Sequence, residues 1–215
     1  MKKIIAVIIV LISIQQFSFA QQNDAKATEI LKGVSAKYKT YKSVQGDFNI
    51  VVENGKNNTK DVQTGTLFVK GEKYKVALKN QEITSDNVTI WTYLKDANEV
   101  QINTYEPDDN TITPSQIFTI YEKNFLYAFI EEKTVNGKVL QYIELTPIDK
   151  TKPFFKIKLA IDKVAKAVQS AIVFDKNGNR YTYEIKNFIA NPNLADTFFT
   201  FDNKAHPGIE VVDLR

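Results

Sequence analysis

Side chains that could perform acid, base, nucleophilic or metal chemistry are scarce in this 215-residue chain. His206 is the only histidine, and it precedes Pro207 and Gly208, a composition typical of a turn. Since the chain has no cysteine, it has neither a thiol nucleophile nor a thiolate metal ligand. It also lacks a Gly-x-Ser-x-Gly elbow, a glycine-rich phosphate loop and a paired-histidine metal motif. We therefore expect no catalytic role for His206, no metal site and no cofactor.

Two pairs of adjacent carboxylates, Asp108-Asp109 and Glu131-Glu132, are the remaining candidates for metal binding or general-acid catalysis. Adjacent side chains on a strand point to opposite faces of the sheet, so a pair placed there does not converge on one ligand. The residues around Asp108 have the composition of a solvated turn. We interpret both pairs as solvent-exposed, and the sequence predicts that the protein is not an enzyme.

Residues 1–20 have the order of a secretory signal peptide. The positive start is Lys2-Lys3, the apolar run is Ile4 to Ile14, and small residues before a cleavage point are supplied by Ser18-Phe19-Ala20. The run of about eleven residues is shorter than the roughly twenty that a bilayer span needs. The sequence therefore predicts a signal that is cleaved after Ala20 and a single exported domain over residues 21–215. A retained membrane anchor is the alternative.

Charge and composition restrict the partners of the predicted mature domain. Lys and Arg number 28 and Asp and Glu 25, a formal net charge of +3, and loss of Lys2 and Lys3 lowers it to 26 − 25 = +1. A nearly neutral domain gives little support to nucleic-acid binding, which usually shows a clustered basic face. Without disulfides, the domain must be stabilised by its core. The 14 Phe and 10 Tyr are compatible either with a packed core or with a lined cavity.

Two amphipathic helices are predicted. In the first, apolar residues recur at spacings of three and four and so share one face; they are Ala27, Ile30, Leu31, Val34, Tyr38 and Tyr41. Asn23 or Asp24 is placed to cap its start. The second helix follows Thr113-Pro114-Ser115-Gln116, which combines a capping threonine, a proline at the first helical position and a glutamine three residues after the cap.

The rest of the chain has the period of two that is typical of strands. Strand-like runs begin at Val44, Val62, Tyr74, Val88, Val100, Val139, Phe155, Ala171 and Tyr181. Asn-Gly occurs at 54, 136 and 177, between such runs, and favours two-residue hairpin turns. Lys73, Lys75 and Lys79 are interpreted as the solvent-exposed face of one strand, and contact with an anionic membrane or partner is the alternative. The sequence predicts an α+β fold with a meander or barrel-like sheet and both helices on one face.

Six segments of the chain, in this order, resemble those of the outer-membrane lipoprotein carriers (the LolA-like family). They are Ser43-Val44-Gln45-Gly46-Asp47-Phe48, Gly65-Thr66-Leu67-Phe68-Val69-Lys70, Ser85-Asp86-Asn87-Val88-Thr89-Ile90-Trp91-Thr92-Tyr93, Thr113-Pro114, Leu145-Thr146-Pro147, and Phe199-Thr200-Phe201 followed by Pro207-Gly208-Ile209-Glu210-Val211. The resemblance runs over nearly all of the mature chain, and the order of the segments makes it specific.

The resemblance implies a strongly curved antiparallel sheet that forms an incomplete β-barrel, with amphipathic helices lidding its concave face. In such a periplasmic carrier, the cavity between sheet and lid takes the acyl chains of a lipoprotein. The implied partners are the inner-membrane lipoprotein release complex and an outer-membrane acceptor, and the carrier is expected to be a monomer. The alternatives are an envelope module that senses or stores lipid, and a protein-binding module whose closed core holds no ligand.

The same resemblance implies which side chains line the cavity. They are Tyr74 and Val76, Leu67 and Val69 on the adjoining strand, Trp91 beside them, and Ile117 and Phe118 on the lid helix. Because side chains alternate between faces, a register slip of one residue would exchange the strand residues for their neighbours. The chain departs from the family at Gly71-Glu72, where Arg-Pro often follows Val-Lys and the arginine is thought to hold the lid closed. Lid control, cargo or partners must therefore differ here.

Overall fold

A computed structural model describes residues 23–57, 59–106, 115, 119–122 and 124–215 of the chain. The predicted signal peptide and most of the predicted second helix, including its start at Thr113, lie outside these ranges. Near that helix, the described residues Ile120–Glu122 form one turn of 3-10 helix. No helix in the described part of the chain is long and apolar enough to cross a membrane.

One α-helix and twelve strands form the regular structure of the described residues. Helix α1 spans Ala25–Tyr38, and the strands are β1 Val44–Glu53, β2 Lys60–Lys70, β3 Lys73–Leu78, β4 Gln81–Ser85, β5 Thr89–Leu94, β6 Glu99–Thr104, β7 Phe125–Val135, β8 Lys138–Pro147, β9 Phe154–Asp162, β10 Ala167–Asp175, β11 Arg180–Ala190 and β12 Glu210–Asp213. They form a single sheet in the order β12-β6-β5-β4-β3-β2-β1-β11-β10-β9-β8-β7. Neighbours are antiparallel except β12, which runs parallel to β6.

Helix α1 begins and packs as the sequence predicts. The Asp24 carboxylate caps it by accepting a hydrogen bond from the Ala27 N–H at 2.8 Å. The predicted apolar face is the buried one, with Ala27, Leu31, Val34 and Tyr38 all inside. Just before the helix, the Asp24 N–H donates to the Tyr127 carbonyl at 3.1 Å. This contact covers part of the edge strand β7.

The sheet curves around α1 without closing. One cluster of buried apolar side chains contains residues of α1 together with Tyr74 on β3 and Ile143 on β8. Six strand steps separate β3 from β8, which is about 29 Å in a flat sheet with a spacing of roughly 4.8 Å. A helix of 14 residues is only about 21 Å long, so one core can include both strands only because the sheet wraps around the helix. We term the face that carries this cluster the inner face, and the opposite one the outer face.

The segment between β11 and β12, residues 191–209, crosses the outer face, and we term it the strap. The Phe198 ring packs on Phe68 of β2 with centroids 4.9 Å apart. The Phe201 ring lies 5.4 Å from Tyr93 of β5. Phe199, between them in the chain, is completely buried. The strap therefore gives the outer face a packed layer of its own, separate from the cluster around α1.

Two of the three lysines that were interpreted as solvent-exposed, Lys73 and Lys75, are partly covered, whereas Lys79, just after β3, is exposed as interpreted. Lys75 is not solvent-exposed, because its side chain is only 15% exposed and pairs with Glu82 at 2.9 Å. Its ammonium group also lies 4.6 Å from the centre of the Phe198 ring. Lys73 pairs with Asp196 of the strap at 3.2 Å. Strand periodicity identified the outward direction of these side chains, but the strap that covers them comes from more than 100 residues later in the chain.

Candidate ligand-binding face

The backbone register determines which side chains of β2, β3 and β4 share the inner face. Val69 pairs with Tyr74, and Leu67 pairs with Val76, which in turn pairs with Ile83. Directly paired residues project from the same face of a sheet. Val69 and Tyr74 belong to the cluster around α1, and the other three side chains pack against it. The structure thus brings together the four strand residues Leu67, Val69, Tyr74 and Val76 that the sequence analysis grouped.

These inner-face side chains lie at two depths. Val69 and Tyr74 are 7% and 5% exposed, so they are part of the packed core. Leu67, Val76 and Ile83 are only half-buried and leave apolar area open to solvent. Apolar area that stays in water is a source of binding free energy for an apolar ligand, at about 25 cal/mol per Å². The row Leu67–Val76–Ile83 therefore marks the boundary between the core and the open part of the inner face.

Trp91 does not share this face, contrary to the sequence-based expectation. It pairs with Thr84 of β4, which pairs with Lys75 of β3, and Lys75 pairs with Phe68 beneath the strap. Val76 instead pairs with Ile83, and Ile83 pairs with Thr92, the residue after Trp91. Since neighbouring side chains of a strand alternate between faces, Trp91 points to the outer face. The two predicted lid residues, Ile117 and Phe118, lie outside the described residues.

The centre of the inner face carries further half-buried apolar side chains that sequence reasoning did not assign to the site. They are Phe48 and Ile50 of β1 and, opposite them, Ile185 and Tyr183 of β11. Gly65 makes room for this group, since a methyl group there would lie 2.7 Å from the Phe48 ring and 2.8 Å from Leu78. The strict alternation of apolar residues in β1 was the signal that could have identified Phe48 and Ile50.

Tyrosine hydroxyls supply polar groups beside the apolar surface. Burial raises the pKa of Tyr74, and a hydrogen bond with Ser85 lowers it in part. Burial likewise raises the pKa of Tyr183 and raises that of Tyr121 to about 12. These phenols are therefore neutral at physiological pH. The half-buried Tyr183 can donate a hydrogen bond to an ester or amide carbonyl of a ligand, whereas Tyr74 and Tyr121 are 5% and 1% exposed and belong to the core.

A cleft of about 380 Å³ lies between α1 and the turn at residues 120–122. Leu31 and Tyr127 contribute apolar surface to it. Polar contacts hold its walls, because the Ser35 hydroxyl lies 3.4 Å from the Tyr121 hydroxyl and Lys39 pairs with Glu122 at 2.7 Å. Its volume is at the lower end of the 300–1,000 Å³ that is typical of ligand pockets. The cleft is thus large enough for part of an apolar ligand.

The acidic pair on β7 is engaged in ion pairs. Glu131 pairs with Lys133 at 2.8 Å, and Glu132 pairs with Lys163 at 2.9 Å. The other acidic pair, at positions 108–109, lies outside the described residues. Within the part of the chain that the structure describes, no three His, Asp or Glu side chains are grouped as metal ligands would be.

His206 lies in a turn at the end of the strap, as its neighbours in the sequence predict. Its ring stacks on Phe201 with centroids 4.7 Å apart and lies 4.4 Å from the Tyr93 ring. The turn of 3-10 helix at Asn203–Ala205 directly precedes it. The geometry is that of a packing residue which fastens the strap to β5.

Comparison with known proteins shows where this arrangement recurs. The family model described as outer membrane lipoprotein carrier protein LolA matches residues 39–202, whereas none of the curated proteins matches the chain. An uncharacterized conserved protein from Thermus thermophilus superposes on 87% of this chain and 99% of its own, at 12% identity and a TM-score of 0.58. At that identity the likeness establishes the fold alone.

Two further solved structures are similar at lower TM-scores. A LolA superfamily protein from Nitrosomonas europaea covers 82% of this chain and 98% of its own, at 13% identity and a TM-score of 0.46. MucB, in its complex with MucA from Pseudomonas aeruginosa, covers 84% of this chain and 62% of its own, at 14% identity and a TM-score of 0.47.

Proposed function

Since the chain belongs to the outer membrane lipoprotein carrier protein (LolA) family, we propose that it binds the acyl chains of lipoproteins on its inner face and carries them from the inner to the outer membrane. The observation that carries this proposal is the half-buried apolar row Leu67–Val76–Ile83 beside the packed core of an unclosed sheet. In this proposal the protein acts by binding, without catalysis.

The energetics of acyl transfer favour such a surface. Burying a lipid chain contributes about 0.8 kcal/mol per CH₂, so one sixteen-carbon chain is worth roughly 12 kcal/mol in a membrane. A carrier must replace most of that contribution and still release the chain. Half-buried side chains on an open sheet are suited to both demands. They gain apolar contacts when the ligand binds, and the ligand can leave because no fully enclosed cavity has to open. In this proposal α1 and the helix predicted from Thr113 cover the bound chains.

The proposal includes the setting in which the carrier works. We propose that residues 1–20 are a signal removed after Ala20, and that residues 21–215 act in the periplasm as a monomer. The partners are then an inner-membrane lipoprotein release complex as donor and an outer-membrane acceptor. Leu67 and Val76 are proposed to contact lipid directly, together with Ile117 and Phe118, whereas Val69 and Tyr74 support them from the core.

Mass spectrometry of organic extracts tests the proposal on protein purified from its native envelope. The wild type is expected to carry triacylated lipoprotein, and the double variant Leu67→Gln/Val76→Gln is expected to lose it. Val62→Gln is the matched control, because Val62 is on the same strand as Leu67 but is 54% exposed on the outer face. Circular dichroism would confirm that all three proteins are folded. Equal lipid content in the double variant and the control would contradict the assignment of the inner face.

The alternative is an envelope module of the same fold that senses lipid or binds a protein without transport. Gly71 favours it, because this residue occupies the place of the family's arginine and the latch ascribed to that arginine is missing. Gly71 adopts a φ of +60° in the tight turn between β2 and β3, a conformation that favours glycine. A transfer assay separates the two functions, since a carrier moves its lipoprotein to acceptor membranes and a sensor retains it.

A further inference from the structure

One end of the sheet exposes two large apolar side chains. Ile148, in the loop between β8 and β9, is 57% exposed, and Phe155, at the start of β9, is 50% exposed. The turn between β10 and β11 lies against the same loop, because the Lys176 N–H donates to the Pro153 carbonyl at 2.9 Å. Residues 148–156 and 174–180 therefore form one continuous surface, which we term the basic-aromatic end.

A β-bulge directs Phe155 outward. The register between β9 and β10 shifts from Lys156↔Phe174 to Phe154↔Asp175, so Phe155 is the additional residue. Phe154 consequently points inward, where it is 8% exposed and stacks on Phe125 with centroids 6.2 Å apart. Phe155 instead packs beside Phe174 on the outer face, at 6.2 Å. Since bulges re-aim side chains, the exposure of Phe155 is a property built into the strand.

Two cations lie over the Phe174 ring. The Lys156 ammonium lies 4.9 Å from the centre of the Phe174 ring, and the Arg180 guanidinium lies 5.4 Å from it. Both cations also have acidic neighbours on the flanking strands, Glu144 at 3.3 Å and Glu53 at 3.8 Å respectively. Lys156 and Arg180 thus hold the Phe174 ring in place, and their acidic neighbours offset most of their positive charge.

The net positive charge of this end comes from the loop lysines. Lys156 and Arg180 are balanced by Glu144 and Glu53. The three loop lysines, Lys150, Lys152 and Lys176, stand against Asp149 and Asp175, a difference of 3 − 2 = +1. The Asp149 carboxylate accepts from the N–H and hydroxyl of Thr151. The Asp175 carboxylate accepts from the N–H groups of Asn177 and Asn179. Both carboxylates accept hydrogen bonds within their own loops. Lys150 and Lys176 are exposed, and their ammonium groups donate to the backbone carbonyls of Pro147 and Lys150 respectively, which leaves their other N–H groups for lipid phosphates.

We propose that the basic-aromatic end is a docking surface for an anionic membrane. Aromatic side chains and lysines together are the combination that occupies the boundary between headgroups and acyl chains. Phe155 and Ile148 would enter that boundary, and Lys150 and Lys176 would contact lipid phosphates. Lysines near an anionic bilayer contribute about 1 kcal/mol each. A protein partner would use the cations equally well, but two exposed apolar side chains at loop ends favour insertion into a bilayer.

Vesicle flotation tests this docking surface with the protein purified from its native envelope. The probes are phosphatidylcholine vesicles with and without phosphatidylglycerol. We expect binding only to the anionic vesicles, weakened by salt because surface charges are screened. Lys150→Gln/Lys176→Gln is expected to reduce partitioning roughly 30-fold, and Phe155→Ser roughly tenfold.

Matched controls come from the opposite end of the sheet. Val164→Ser removes an apolar side chain that is 87% exposed in the turn between β9 and β10, and Lys42→Gln/Lys186→Gln removes two exposed cations elsewhere. Neither should change partitioning. Absence of binding to the anionic vesicles would overturn the proposal, and so would equal losses of binding in the test and control variants.

The membrane proposal stands independently of lipid carriage, because the basic-aromatic end does not use Leu67 or Val76. A protein that retains lipid in its extract but does not bind anionic vesicles would refute only the docking surface. Conversely, vesicle binding that depends on Phe155 in a protein without extracted lipid would refute only the carrier function.

Discussion

Phe199→Ala tests whether the strap forms a core of its own. Phe199 is completely buried on the outer face, and its ring lies edge-on to Phe198 at 5.3 Å. Replacing a buried phenylalanine with alanine costs about 3–5 kcal/mol, since the ring loses its contacts and leaves a cavity. The ion pairs of Asp196 with Lys70 and Lys73, at 2.8 and 3.2 Å, are solvent-exposed. Such pairs contribute too little to offset the loss.

Native-state hydrogen exchange at β12 is the assay, because the strap leads directly into that strand. Exchange detects local release of the strap as well as global unfolding. At 1.36 kcal/mol per factor of ten, the expected loss of protection at residues 210–213 is roughly 150- to 5,000-fold. Val164→Ala, at a side chain that is 87% exposed, should leave protection unchanged. A loss smaller than about tenfold in Phe199→Ala would refute the reasoning, because pairing with β6 alone would then hold β12.

Three further predictions concern the inner face and α1. Gly65→Ala should lower the free energy of unfolding in urea by about 1–3 kcal/mol, because the new methyl group would lie 2.6 Å from the Ala77 carbonyl oxygen and 2.7 Å from the Phe48 ring. Gly46→Ala, whose nearest neighbour would be 3.6 Å away, is the control, and equal costs would contradict this account. Asp24→Ala should cost about 1 kcal/mol by removing the cap of α1, whereas Asp24→Asn should retain most of it. Burial raises the pKa of Tyr121 from 10.0 to about 12, so the unfolded state loses this proton first. The stabilisation is complete below pH 10 and should fall by up to about 3 kcal/mol as the pH rises to 12. Tyr121→Phe should flatten that part of the stability profile, and an unchanged slope would exclude Tyr121 as its source.

Local patterns in the sequence identified much of the fold. The cap at Asp24 and the spacing of Leu31 and Val34 identified α1 and its buried face, because both signals lie within a few turns of one helix. The Asn-Gly pairs at 54, 136 and 177 each lie between two successive strands of the sheet. Three strands, β4, β7 and β12, were not predicted. In β7, residues 125–130 are all apolar, charged residues begin at Glu131, and the register shifts between Phe129 and Glu131, so no period of two is visible.

The candidate site was harder to predict because it depends on which face each strand turns inward. The grouping of Leu67 with Val76 came from the family resemblance. The structure pairs the two residues because a two-residue turn fixes the register between β2 and β3. Two further strand pairings, β3 with β4 and β4 with β5, lie between Val76 and Trp91. Because β4 was not predicted, the direction of Trp91 could not be derived from the sequence. The outward direction of Phe155 depends on a bulge, which periodicity does not reveal. The face assigned to a side chain therefore becomes less certain with each strand pairing whose register is not fixed by a short turn.

Stability and ligand exchange place opposite demands on the inner face. A face that is completely filled stabilises the fold but leaves no apolar area for a ligand, and half-buried side chains such as Leu67 and Val76 contribute correspondingly less. The strap resolves this conflict, because Phe199 is buried on the opposite side of the sheet, where no ligand has to enter or leave. Variants of the two faces should therefore have separate effects. Phe199→Ala should lower the protection of β12 while lipid content is retained, and Leu67→Gln/Val76→Gln should lower lipid content while that protection is retained.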